Sequence, residues 1–237
     1  MRLSAPIYQL KRRAKLLVRN EKIAVHEALD RIAREEGFAG WSLLSSQFAM
    51  NSPSKAVLSR LMHGDMLLLG ARPGHGKTLL GLQLLLDAVR EDRKAVFFTL
   101  EYTEQETRQR LHSLGGNAHG LGDHLEIVTS DEISADYIID HLSGSARGTV
   151  AVIDYLQILD QQRSKPPLSD QMRALRSFAR DNGVVLGFIS QIDRSFDLAG
   201  KPLPDVQDIR LPNPIDLGFF TKACFLHNGE VRLQNVA

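Results

Sequence analysis

The chain has one cysteine, Cys224, which excludes an internal disulfide and a cysteine-built zinc site and makes a reducing compartment, the cytoplasm, the expectation. No apolar run approaches the roughly 20 residues that a membrane-spanning helix needs, so no membrane role is expected. The N-terminus is basic but lacks the apolar stretch and small-residue cleavage site of a secretory leader. The eight histidines show no tight metal-ligand spacing. There is no internal repeat and no low-complexity tract. Charge of one sign is missing too: 29 Lys/Arg against 28 Asp/Glu leave a net charge of +1, which argues against a uniformly basic, nucleic-acid-coated surface. What remains is a 237-residue chain able to bury a sizeable core, read as one main domain with a small addition.

The addition is residues 1–52, a small basic helical segment. Positions 1–20 hold six cations (Arg2, Lys11, Arg12, Arg13, Lys15, Arg19) and no acid. Ile7, Leu10, Leu16 and Leu17 give this stretch an apolar side. A second helix is expected from about Ala24 to Glu36, stopped by Gly37, and a third is anchored by Phe38 and Trp41. Three short helices with a basic first one suit docking on nucleic acid or on a protein partner, and equally a solvated face. Asn51-Ser52-Pro53-Ser54 reads as the boundary.

From Ala56 strands and helices alternate. Strands are expected at 66–69, 95–100, 125–128, 149–153 and 184–189, helices at 57–62, 104–114, 133–142 and 168–180, a glycine-rich loop over 115–122, and a hairpin around Asn228-Gly229. Such alternation gives an α/β domain over 53–237 with a mainly parallel sheet.

Within it, Met66–Leu86 has a distinct order: apolar strand, loop with Gly70, Gly74 and Gly76, then Lys77-Thr78 opening a leucine-rich helix. Loop amides and a helix N-terminus direct several N–H donors at one anion, Lys77 adds a full charge, and the Thr78 hydroxyl suits Mg²⁺. The expected ATP-binding set is Ala71, Arg72, Pro73, Gly74, His75, Gly76, Lys77, Thr78 and Leu79. The common pattern G-x-x-x-x-G-K-[ST] begins with glycine, and here that position is Ala71.

In open α/β sheets ligands bind outside the carboxyl ends of the strands. Four strands end here in the phosphate loop, Glu101, Asp154 and Gln191, an arrangement suited to nucleoside triphosphate hydrolysis. Asp154 is assigned to Mg²⁺ with Thr78, Glu101 to the general base, and Gln191 to sensing the γ-phosphate. Cys224, in an apolar strand, is read as core.

Four segments, A-R-P-G-H-G-K-T (71–78), T-L-E (99–101), V-I-D-Y-L-Q (152–157) and S-Q-I-D-R-S (190–195), resemble in order and spacing the C-terminal ATPase domain of DnaB-type replicative helicases, over roughly residues 55–226. Ala71-Arg72-Pro73 is the normal opening of the loop in that family. The resemblance implies a RecA-like core, catalytic Lys77, Glu101 and Gln191, ATP and Mg²⁺ as cofactors, single-stranded DNA as a partner, and a homo-oligomeric ring or filament with ATP sites between subunits. It also implies DNA-facing loops after Tyr155 and after Ser195, with Arg163 and Lys165 in the first, Lys201 and Arg210 in the second, and Arg194 just before it, as the cations that track phosphates. This chain departs from the pattern in Asp193, where the family has asparagine, and in lacking a clear late lysine and arginine finger. Two functional classes are therefore carried forward. One is an ATP-driven DNA helicase or motor. The other is a RecA-like ATP-binding switch that recruits or regulates a protein partner through residues 1–50. A kinase using the same cradle is a distant third.

Overall fold

Strand β1 (Met66–Ala71) is buried along its whole length because it runs through the middle of a seven-stranded sheet, with β5 (Val185–Gln191) on one side and β6 (Lys222–His227) on the other. Beyond β5 lie β4 (Val150–Asp154), β2 (Ala95–Thr99) and β3 (Leu125–Val128), giving the order β3-β2-β4-β5-β1-β6-β7. All neighbouring pairs are parallel except β6 with β7 (Glu230–Asn235), the hairpin expected from Asn228-Gly229. The structure is a computed structural model and describes residues 3–5, 7–50, 52–115, 124–160, 165–198, 200–210 and 216–236. The expected 115–122 loop lies, apart from Gly115, outside them.

The chain divides into two compact units, Met1–Lys55 and Ala56–Ala237. In the first, α1 (Ile7–Glu21), α2 (Val25–Glu35) and α3 (Trp41–Met50) enclose a small core of Leu10, Ala14, Ala28, Ile32, Ala33, Phe38 and Leu44. Helix α2 stops where Gly37 takes φ +85°. The Phe38 N–H then reaches Ala33 O at 2.9 Å and the Gly37 N–H reaches Arg34 O at 3.0 Å, satisfying the last carbonyls while Phe38 turns into the core. Asp30 then starts α3 by accepting the Trp41 N–H at 2.8 Å.

A short helix, α4 (Pro53–Leu58), leads to β1. In the second unit, alternation along the strands sends residues to two cores. Leu67, Leu69, Phe97, Val152 and Ile189 face α5 (Lys77–Arg90); Leu68, Phe98, Ile153 and Phe188 face the side of α7 (Ala135–Leu142) and α8 (Leu168–Asn182). Helix α6 (Glu104–Ser113) is opened by a reciprocal pair, Thr103 with Glu106. Two glycines permit close approaches. A Cβ on Gly81 of α5 would lie 3.1 Å from Ile189 and from Val152, so this helix presses directly on the sheet, and a Cβ on Gly70 would lie 2.9 Å from the Phe225 ring. Cys224 is free and buried in β6, its thiol pushed up to about 12 by burial, as suits a core residue. Among the described residues no helix is long and apolar enough to cross a membrane.

The segments following β4 and β5 are more ordered than the sequence suggested. A 3₁₀ turn covers Leu156–Asp160, α9 covers Ser195–Leu198, and further 3₁₀ turns cover Val206–Asp208 and Leu217–Phe219. Asp193 starts α9 by accepting the Ser195 N–H on Oδ1 at 2.9 Å, while its own N–H donates to Asp208 O at 2.7 Å. Asp193 therefore has a local capping role.

Candidate functional site

Along the carboxyl edge, β2, β4, β5 and β1 stand next to one another, so Glu101, Asp154, Gln191 and the loop after Ala71 come in that order. Register fixes their heights. Asp154 pairs with Thr99 on one side and Ile189 on the other, and Gln191 pairs with Ala71.

The loop 72–76 leaves β1 and turns back into α5 through Gly74 (φ +81°) and Gly76 (φ +87°), a left-handed pair that only glycine adopts cheaply. The His75 N–H closes the turn on Arg72 O at 3.1 Å, and Gly76 occupies the N-cap of α5 without a side chain to satisfy the first amides. Those amides remain available to an anion, next to the half-buried Lys77.

At the second residue of the helix, the Thr78 hydroxyl donates to Asp154 Oδ2 at 2.8 Å. Asp154 is fully buried, and its Oδ1 has no hydrogen-bond partner. Burial pushes this carboxyl up to about 6, the Thr78 hydrogen bond works the other way, and the nearby Glu101 charge raises it further. A hydroxyl and a carboxylate with a spare oxygen form a hard, all-oxygen donor pair. That pair fits Mg²⁺, which takes one or two protein ligands and leaves the rest of its shell to phosphate and water. Ser190, on β5 beside Gly70, is also buried with its hydroxyl unpartnered.

Glu101 is exposed beyond β2, its N–H held by Thr99 Oγ1 at 3.1 Å. Gln191 is half-buried, and its carbonyl accepts the Arg210 N–H at 2.8 Å.

Two arrangements around the loop escaped the sequence reading. Arg72 crosses to the segment beyond Gln191: Nη1 donates to Ile192 O at 3.0 Å, while Nε and Nη2 grip the Asp197 carboxylate at 3.1 and 2.7 Å. His75 stacks on His227 of β6 with ring centroids 5.1 Å apart, His227 meets the edge of Phe196 at 5.0 Å, and the Asn228 N–H points at His75 Nδ1 at 3.4 Å. Burial, then the neighbouring His227 and Arg72, hold the His75 pKa below the ordinary histidine value. The contacts of Arg72 with Ile192 and Asp197 and of His75 with His227 join residues at least 120 positions apart, and no local pattern announces them.

The five cations read as DNA-facing fare differently. Arg163 lies outside the described residues. Lys165 donates its ammonium to Ile133 O at 2.7 Å and Ile158 O at 3.1 Å. Lys201 is held by Asp205 and Asp208 at 3.1 and 3.2 Å. Arg194 and Arg210 are exposed.

Known proteins with related sequences and folds agree with this architecture. A family profile described as "ATPase: KaiC" matches residues 54–203. The replicative DNA helicase DnaB of Mycoplasma pneumoniae is 25% identical over 204 residues, covering 69% of this chain and 43% of that protein. The chain thus spans less than half the length of that helicase. Among solved structures, the ATPase domain of G40P superposes with a TM-score of 0.58 at 20% identity, covering 78% of this chain and 82% of that one. A DnaB-like replicative helicase, solved in a study of its interactions with primase, reaches 0.60 at 17% identity, covering 97% and 73%. These likenesses show a RecA-like α/β fold.

Proposed function

The chain belongs to the KaiC ATPase family, and from that premise we propose that it is a DnaB-like P-loop ATPase, hydrolysing ATP with Mg²⁺ as a DNA-associated motor. The observation that carries the reading is the 2.8 Å bond from Thr78 to a buried Asp154 whose second oxygen is unpartnered, set directly behind Lys77 and the free amides of α5. In this reading the loop from Ala71 to Leu79 cradles the phosphates and Lys77 neutralises their charge. Thr78 and Asp154 would hold Mg²⁺, which would supply charge neutralisation at the phosphate oxygens.

Glu101 takes the proton of the attacking water. The new bond forms between that water oxygen and the γ-phosphorus as the bridging bond to ADP breaks. Gln191 hydrogen-bonds the γ-phosphate and loses that partner on product release. Arg72, gripping both Ile192 O and Asp197, carries the change into the segment bearing Arg194 and Arg210, which contact DNA. Assembly into a ring or filament, a cytoplasmic setting, and a two-part chain with its boundary near residue 52 belong to the same proposal.

The Glu101→Gln variant is expected to retain ATP while hydrolysing about 10²- to 10⁴-fold more slowly. Hydrolysis at the parental rate would overturn the assignment of the base. Single-stranded DNA is expected to stimulate the parental ATPase.

One observation favours a second reading, an ATP-binding switch acting on a protein partner through residues 1–50. The ammonium groups of Lys165 and Lys201 have internal partners, which weakens the DNA-facing side. An ATPase indifferent to DNA, in a chain that sediments as a monomer with ATP, selects the switch.

A further inference from the structure

We infer that the exposed face of α1 is a binding surface for the sugar–phosphate backbone of nucleic acid, built from residues other than those of the proposed ATP site and of the loops after β4 and β5. The stretch Leu10–Arg19 divides cleanly around its helix. Leu10 and Ala14 are buried in the core formed with α2 and α3. Lys11, Lys15 and Arg19, at four-residue steps, climb the opposite side with a rise of about 6 Å each and a drift of about 40°, and Arg12 stands beside them. All four are exposed. They occupy roughly a 100° arc, with cations spaced along a line as a phosphate chain requires.

Among the described residues, the acids of the unit do not neutralise Arg12, Lys15 or Arg19, the part of the arc on which the inference rests. Glu35 and Glu36 are taken by Arg13, on the other flank of α1, at 2.7 and 3.6 Å, and Ser4 also bonds Glu36. Glu21 is taken by Arg31 at 2.6 Å. No described carboxylate pairs with Arg12, Lys15 or Arg19. Residues 1–55 as a whole hold ten Lys/Arg against five Asp/Glu.

The chemistry selects among anionic partners. A membrane-surface helix inserts a broad apolar face, whereas Leu10 and Ala14 are buried in the unit's own core with Leu17 and Val18 packed against it, which leaves Leu16 as the one exposed large apolar side chain of Leu10–Arg19. A protein interface needs aromatic or aliphatic anchors at its centre, whereas the centre of this arc is charged and the exposed Leu16 stands at its edge. A repeating phosphate chain needs neither, and the expected binding is independent of base sequence.

The test is fluorescence anisotropy of the full chain without nucleotide, titrated onto labelled single-stranded DNA, duplex DNA and RNA at several salt concentrations. Vesicles containing phosphatidylserine form a parallel arm. Omitting ATP keeps the outcome separate from the ATPase reading, and the Lys77→Ala variant is expected to bind like the parent. The triple variant Arg12→Ala, Lys15→Ala, Arg19→Ala is expected to bind about tenfold or more weakly. Its salt slope should fall by about 0.9 per lost contact on duplex and about 0.7 on single strands, which also identifies the preferred form.

Unchanged affinity and slope in a variant that keeps the parental Trp41 emission overturn the inference. Vesicle binding that equals nucleic-acid binding and disappears with it in the variant overturns it in favour of a general anionic surface. If the triple variant misfolds, the single variants carry the same reading, each expected to lower the slope by about one unit or less.

Discussion

Residues 1–55 hold ten lysines and arginines against five acids, whereas residues 56–237 hold nineteen against twenty-three. The near-neutral total therefore joins a basic piece to an acidic one. The difference extends to use. In the larger unit several cations have internal duties: Arg72 grips Asp197, Lys201 joins Asp205 and Asp208, and Lys165 satisfies two carbonyls. In the smaller unit, among the described residues, Arg13 is occupied in this way by Glu35 and Glu36 and Arg31 by Glu21, while Arg12, Lys15 and Arg19 have no such partner. A net charge of +1 hides a division of labour, in which one unit uses charge to build a site and the other displays it.

The largest test of that comparison is Lys77→Ala. It is expected to abolish ATP binding by the larger unit, measured by calorimetry, while the emission of Trp41, the chain's single tryptophan, stays unchanged. A shifted Trp41 spectrum together with lost binding would join the two units energetically. Next in size is Ile32→Ala, which deletes most of a fully buried side chain in the small core and is expected to cost about 2–5 kcal/mol, read as a lower urea midpoint at Trp41. Gly70→Ala is the matching change beside the phosphate loop. Its new methyl meets Phe225 and Ile192, with an expected cost of about 1–3 kcal/mol read by thermal melting of the far-ultraviolet signal.

The smallest effect concerns Glu36. Its hydrogen bonds from Ser4, with help from Arg13, hold its pKa below the ordinary glutamate value. A depressed folded-state pKa gives stability that is present above the unfolded value and lost as pH falls through the folded one. An acid titration followed at Trp41 should therefore show the small unit weakening only below about pH 4.5. Removing Ser4 with Ser4→Ala should flatten that dependence.

How much of this was legible depended on sequence distance. The strand, glycine loop and helix from Met66 to Leu86 were readable because every feature that forms them is local: an apolar run, two glycines at positive φ and a leucine stripe. Glu101, Asp154 and Gln191 could be placed at one edge because parallel strands put their ends together. The bond from Thr78 to Asp154 spans 76 positions and follows from α5 lying across the sheet, an approach that Gly81 permits and no pattern states. The grip of Arg72 on Asp197 and the stacking of His75 on His227 were invisible for the same reason. Lys201 is the instructive exception. Its partner Asp205 is only four residues away, so the pairing was available to a local reading that gave the lysine to DNA instead.

Arg72 also bears on how the protein can be cut. Its guanidinium sits in the phosphate loop, but the groups that fix it, Ile192 O and Asp197, lie 120 and 125 residues downstream. The substitution Asp197→Ala would leave the entire loop, Lys77, Glu101 and Asp154 in the chain and still release this arginine from its counter-charge. A faithful minimal fragment must therefore run past Asp197, and past β6 as well, whose pairing with β1 holds the strand that opens the loop.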